Sequence, residues 1–205
     1  MSADAPKRTF ALAITGASGA LYAVRTFAAL LERGFHVELV VSEYGRRLLR
    51  DELGEKAAVD RLRDYVAERY GDATRAGTHT LLSNKDLGAT IASGSHGCEG
   101  LAIVPCSMKT LAGVAHGLSR NLIERAADVM LKERRRLVIV PRETPMSLPQ
   151  LRNMVLCAEA GATVLPAMPA FYQMPTNLDD LADFMTGKIL SALGLEHDLY
   201  PPWQG

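Results

Sequence analysis

Arg142 and Glu143 lie in PRETP (141–145), directly after the apolar run RLVIVP and between two prolines. Proline stiffens a turn by fixing φ. A guanidinium beside a carboxylate on a stiff turn suits an anion clamp next to an acid–base group, ahead of a surface ion pair. PCSMKT (105–110) also follows an apolar run. Ser107 there can cap a helix, and the free amides of its neighbours Met108, Lys109 and Thr110 can hold a phosphate. Lys109 is either a ligand or a solvated cation. Cys106 invites reading as a catalytic thiol, but no histidine stands near it in sequence, so it reads as a small buried residue.

Other segments are more ambiguous. In TGASG (15–19), Gly16 and its neighbours let backbone amides approach an anion at a helix N-terminus, and Ser18 adds a hydroxyl. The bland alternative is a tight turn. Ser42 either touches a ligand or caps the helix that follows it, and capping is the better local reading. Glu52 sits in a charged helical run and locally reads as solvated. SGSHG (93–97) could wrap a cofactor or simply turn. Arg125 and Lys132 are seven residues apart, two turns of helix, so they share a face. They could clamp a phosphate. On pattern alone, cations near a helix C-terminus are the simpler account. Tyr172 in PAFYQMP could hold a ligand or close a core edge.

Alternating strands and helices must carry these residues. TFALAI (9–14), HVELVV (36–41), GLAIVP (100–105), RLVIVP (136–141) and ATVLPA (162–167) read as buried strands. Helical patterns cover 21–31, 44–53, 55–70, 107–117, 120–134, 147–160 and 178–193. That grammar predicts a parallel sheet with helices on both faces, a three-layer α/β/α domain. In open parallel sheets ligands sit beyond the carboxyl ends of the strands, where TGASG, SEYG, PCSMKT, PRETP and PAMPAFY all fall. The first apolar run is not an export signal or membrane span, because TGASG interrupts it and its two flanks have different periodicities.

The 205 residues suit one domain, 1–205, with an irregular tail at 195–205 that holds the only tryptophan, Trp203. Apolar residues make up 48% and charged residues 22%, an ordinary globular composition. The 23 basic and 23 acidic residues cancel, which favours neither nucleic acid nor an anionic membrane as partner. Three cysteines without a CxxC pair suggest a reducing, cytoplasmic setting, and five scattered histidines show no metal site.

GASGALYAVR, SGS, PCSMKTLAGVAHG, NLIERAADVMLKERRRLVIVPRETPMSLPQLRNM, GATVLPAMPAFYQMP and the terminal WQG resemble the UbiX-type flavin prenyltransferases, in order from about residue 9 to the end. The resemblance implies a flavodoxin-like Rossmann fold and a homododecamer with active sites at subunit junctions. It implies transfer of a dimethylallyl group from dimethylallyl monophosphate to N5 and C6 of reduced FMN, without a metal. The prenylated FMN would serve a UbiD-type decarboxylase. Carried over by position, Gly16, Ala17, Ser18, Ser42, Ser107, Met108, Lys109, Thr110 and Arg142 are expected on FMN. Ser93 and Gly94 would line the site. Arg125, Lys132, Arg142, Tyr172 and Lys188 would bind the prenyl phosphate. Ser18, Glu52, Lys132, Glu143 and Trp203 are expected to take part in the chemistry, the carboxylates in proton transfer. Many members carry arginine where this chain has Lys188, which keeps the charge but loses the bidentate fork. Related cysteine decarboxylases should carry PASANT-like and PxMNxxMW-like segments, where this chain has PCSMKT and PAFYQMP. A flavin carrier would not need this set of cations, and a nicotinamide reductase would need a complete GxGxxG.

Overall fold

The computed structural model describes residues 7–201. Six parallel strands form one sheet: β1 (Thr9–Ile14), β2 (His36–Val41), β3 (Thr78–Leu82), β4 (Cys98–Cys106), β5 (Arg136–Pro141) and β6 (Thr163–Val164). Seven α-helices accompany them: α1 (Ala20–Glu32), α2 (Glu43–Leu53), α3 (Leu62–Tyr70), α4 (Met108–Ala115), α5 (Leu122–Lys132), α6 (Leu148–Glu159) and α7 (Leu178–Ala192). The side chains of β1 alternate between two cores. Phe10, Leu12 and Ile14 pack with residues of α1, α2, α3 and α7. Ala11 and Ala13 pack with residues of α4, α5 and α6. This is the predicted three-layer α/β/α arrangement.

The strand order is β3-β2-β1-β4-β5-β6. Without β3, the five strands expected from sequence stand in flavodoxin-like order, and β3 extends that sheet by one edge. THTLL escaped the sequence reading because an edge strand need not be apolar. Three of its five residues are exposed. The helix expected over 55–70 splits into a 3-10 turn at Glu55–Ala57 and α3. The last strand shortens from the expected 162–167 to two residues. Pro166 has no amide to donate, and the chain turns there toward the site.

The order reverses between β1 and β4, so their carboxyl ends splay apart into the crevice where ligands of such folds bind. TGASG, SEYG, PCSMKT, PRETP and PAMPAFY each follow the carboxyl end of a strand as expected, whereas SGSHG precedes β4.

Candidate functional site

Thr15 pins the crevice. Its hydroxyl donates to the carbonyl of Pro105 at 2.8 Å and accepts from the Ser107 amide at 2.7 Å. Both bonds are buried or partly so, and they fix the end of β1 against the start of α4. Ala17 is buried behind this turn while Ser18 is exposed on it. Gly16 admits no side chain: a Cβ there would lie 2.4 Å from Tyr44 Cβ. The backbone therefore borders the crevice as a bare wall.

Across that wall lies a cleft of about 340 Å³ bordered by Gly16, Ser42, Asn84, Ser107, Lys109 and Thr110. Ser42 caps α2 by accepting from the Gly45 amide at 3.0 Å, as its position predicted. Acceptance leaves its hydroxyl hydrogen for a ligand. Ser107 caps α4 by accepting from the Thr110 amide at 3.3 Å. The first-turn amides of Met108 and Lys109 have no acceptor within the helix. Two hydroxyls, an ammonium and a helix N-terminus make a donor set for a phosphate monoester, and the glycine wall lets a flat group approach. The residues present thus fit flavin mononucleotide. Substituting Ser107→Ala should cost about 1 kcal/mol through the lost cap and lower Tm by about 2–4 °C. FMN affinity should fall with it, read by fluorescence titration alongside a thermal melt.

A second cavity of about 330 Å³ opens on the other side of the TGASG turn, where Ser18, Tyr22, Glu52 and Arg142 meet Ala167 and Leu178. The Glu52 carboxylate accepts from the amides of Gly19 at 3.0 Å and Ala20 at 2.8 Å. The N-terminus of α1 therefore already holds an anion, one supplied by the chain itself. This corrects two sequence expectations. TGASG does not offer the α1 amides to phosphate, and Glu52 is not merely a solvated helix residue. Arg142 donates from Nε to the Ser18 carbonyl at 3.2 Å, bridging β5 to the turn after β1. Tyr22 is raised above the usual phenol range, by burial first and by the charge of Glu52 second. Glu143 turns its carboxylate to the Thr144 amide at 3.0 Å, and among the described residues it forms no ion pair with Arg142.

The remaining expected residues form two further groups. Ser93 and Gly94 precede β4, hence lie at the amino edge of the sheet. A Cβ on Gly94 would lie 2.8 Å from Lys132 Nζ, in the last turn of α5. Arg125 donates to the Ala92 carbonyl at 3.2 Å and pairs with Asp128 at 2.7 Å. Tyr172 and Lys188 gather at Phe184, the first edge-on at 5.9 Å and the second 5.5 Å from the ring centre. The helix α5 starts at the rim, where the Leu122 amide donates to the Asn84 carbonyl, and ends beside Arg136 at the foot of β5. Six-residue strands are about 20 Å tall. Lys132 and Arg142 of one chain therefore stand at opposite edges of the sheet. One chain does not bring Arg125, Lys132, Arg142 and Lys188 around one anion. Trp203 lies outside the described residues. The tail before it folds back on α7, with Tyr200 5.0 Å from Phe184 and the Gln173 amide donating to the Pro201 carbonyl at 3.0 Å.

Sequence reasoning overlooked Thr15, Tyr22 and Asn84. Thr15 closes an apolar run, which is a readable signal. Asn84 follows the unrecognised strand β3 and went with it. Its side chain accepts from the Ile123 amide at 3.1 Å and so holds α5 to the rim. Cys106 is fully buried, and burial pushes its thiol up, in keeping with a packing role. Among the described residues no three His, Cys, Asp or Glu side chains converge as a metal set. No described helix is long and apolar enough to cross a membrane.

A profile of the Flavoprotein family matches residues 1–189. The flavin prenyltransferase UbiX of Halalkalibacterium halodurans is 48% identical over 202 residues, covering 96% of this chain and 94% of that protein. The crystal structure of AnUbiX (PadA1) in complex with FMN and dimethylallyl pyrophosphate superposes with a TM-score of 0.86 at 36% identity, covering 97% of this chain and 98% of that one. A dodecameric FMN-dependent UbiX-like decarboxylase from Escherichia coli O157:H7 superposes with a TM-score of 0.83 at 37% identity, covering 96% and 100% of the two chains.

Proposed function

The chain belongs to the family of UbiX flavin prenyltransferases, and from that premise we propose that it transfers a dimethylallyl group from dimethylallyl monophosphate to N5 and C6 of reduced FMN. The observation that carries this reading is the pairing of two cavities across one glycine turn. One offers hydroxyl, ammonium and helix-terminus donors suited to a phosphate, and the other sets Arg142, Glu52 and Ser18 against leucines. A flavin anchored by its phosphate at Ser107–Thr110 would reach along the turn to a five-carbon donor held at Arg142.

When bound, the reduced flavin supplies the nucleophilic nitrogen and ring carbon, gaining C5H8 overall while the donor's allylic C–O bond breaks and inorganic phosphate leaves. The protein's part is electrostatic and positional. Arg142 neutralises the leaving phosphate from a backbone-braced position, which is where preorganised charge contributes most. Glu52, held by two amides, keeps a fixed negative charge beside Ser18 and Tyr22. That charge stabilises cationic character developing on the allyl group. Ser18 relays a proton at the turn, and Glu143 is the acid–base group at the rim. Arg125, Lys132, Tyr172 and Lys188 would complete the phosphate site from neighbouring chains of a dodecamer. The Trp203 side chain, brought in by the tail 195–205, would offer its π face to the allyl group. The prenylated FMN would pass to a UbiD-type decarboxylase.

The deciding experiment is anaerobic. The protein is mixed with reduced FMN and dimethylallyl monophosphate, and the released flavin is weighed by mass spectrometry. A gain of one isoprenyl unit with phosphate release supports the reading, whereas tightly bound, unaltered FMN would point to a flavin carrier. A diphosphate donor is the second reading, favoured by the relative crystallised with dimethylallyl pyrophosphate. Offering both donors separates them. Glu143→Gln should slow alkylation about 10²-fold while FMN still binds. Equal rates for variant and parent would remove Glu143 from the proton path.

A further inference from the structure

The basic run KERRR closes α5, and its cations have different tasks. The chain leaves the helix through Arg134 at φ 55°, a left-handed conformation that favours glycine and strains a side chain. The Arg134 amide donates to the Leu131 carbonyl at 3.1 Å and the Arg135 amide to the Met130 carbonyl at 2.8 Å. This pair of bonds is a Schellman closure, and it swings Arg135 off the helix toward the SGSHG loop. There the guanidinium donates to the carbonyls of His96 at 2.6 Å and Gly94 at 2.7 Å. Among the described residues Arg135 forms no ion pair, so its charge is spent on the loop. We infer that Arg135 is a positioning residue: it holds this loop as a donor-only face that receives the phosphate of the prenyl donor in the site of an adjoining chain.

The C=O and N–H of a trans peptide point in opposite directions, and the peptides of this loop are trans. With the Gly94 and His96 carbonyls turned to Arg135, the amides of Ser95 and Gly97 turn away from it. Neither amide is well used. That of Ser95 reaches only the Ser93 hydroxyl, at a long 3.4 Å, and that of Gly97 meets no acceptor among the described residues. The hydroxyls of Ser93 and Ser95 bond to each other at 2.8 Å, which occupies one of their two hydrogens. Arg125 takes a third carbonyl of the segment, that of Ala92. From the sheet, the buried Glu38 carboxylate accepts from the Thr90 hydroxyl and shares a hydrogen bond with His96 Nε2 at 2.9 Å. The loop is thus pinned at both ends, its inward carbonyls are neutralised by guanidiniums, and what it has left to offer is donors. Successive free amides of this kind suit an anion. Gly94 also packs so close to the end of α5 that the Lys132 ammonium stands beside the same loop. All these bonds lie within one chain, so they hold whichever chain lies across the loop.

This inference rests on the transferase reading above, so the test separates the two. Arg135→Ala and Arg135→Lys are purified as full assemblies and loaded with oxidised FMN. Calorimetric titration measures their affinities for inorganic phosphate and for dimethylallyl monophosphate, and anaerobic turnover gives KM and kcat. Arg135→Ala should weaken both phosphates by about 10-fold or more, the scale of one hydrogen bond to a charged group. KM for the donor should rise with it while kcat stays within about threefold, the mark of lost uniform binding. FMN affinity should not change. Arg135→Lys should recover little, because an ammonium cannot span two carbonyls as the planar fork does. If Arg135→Ala does not assemble, Arg135→Lys decides by the same comparison. Unchanged phosphate affinity, full recovery by lysine, or a loss of FMN affinity in step with phosphate would overturn the positioning role, the last by showing a general structural defect. Weakened phosphate binding in variants of a parent that never alkylates flavin would keep the loop and overturn the transferase reading. A parent that binds neither phosphate overturns both.

Discussion

Replacing Arg142 with alanine should lower the single-turnover rate of flavin alkylation by about 10²–10³-fold, the usual loss for one preorganised charge-stabilising donor. The reason is positional. Arg142 leaves a strand that is buried up to Pro141, and its Nε is spent on the Ser18 carbonyl. The guanidinium is thereby aimed into the cavity with its remaining donors free for an anion. A leaving phosphate needs that charge at the instant the allylic bond breaks. The fold should survive, because the variant loses one part-exposed hydrogen bond and no buried apolar group. Arg142→Lys should recover only part of the rate, since an ammonium cannot brace Ser18 and face a phosphate with the same planar fork. Stopped-flow absorbance of the flavin under nitrogen reads both variants. Rates for Arg142→Ala within about threefold of the parent would show that the leaving group is neutralised elsewhere.

Lys132→Ala should also abolish most activity, by about 10²-fold, but its defect should be repairable by a second variant. Within one chain Lys132 ends α5 at the amino edge of the sheet, beside Gly94, while Arg142 and Ser18 lie at the carboxyl edge. If both serve one site, they come from different chains. Co-expressing Lys132→Ala with Arg142→Ala and purifying the mixed assembly should then give clear activity where each alone gives almost none. A site between chains can draw its intact lysine from one and its intact arginine from the other. No recovery in a proven mixed assembly would place Lys132 outside the phosphate site. Stability should not move, because the Lys132–Glu133 pair is solvent-exposed and such pairs contribute about 0–1 kcal/mol.

Alternating apolar runs and amphipathic stretches determined the layers of this protein, and five of its six strands can be read from them. Short-range chemistry was also legible. Ser42 and Ser107 cap the helices they precede, and Asn121 and Asn177 do likewise. Caps act over three residues, so sequence contains them. Three things needed the tertiary structure. β3 is half exposed and carries no apolar signature, and its loss hid Asn84. Glu52 reads as solvated because its partners, Gly19 and Ala20, lie more than thirty residues away, and only the packing of α2 beside α1 brings them together. Lys132 and Arg142 read as one cationic set because sequence has no edges, whereas a parallel sheet sorts residues by whether they begin or end a strand. Residue types thus determined which chemistry is present, and the direction of the strands decided which groups can meet within a single chain.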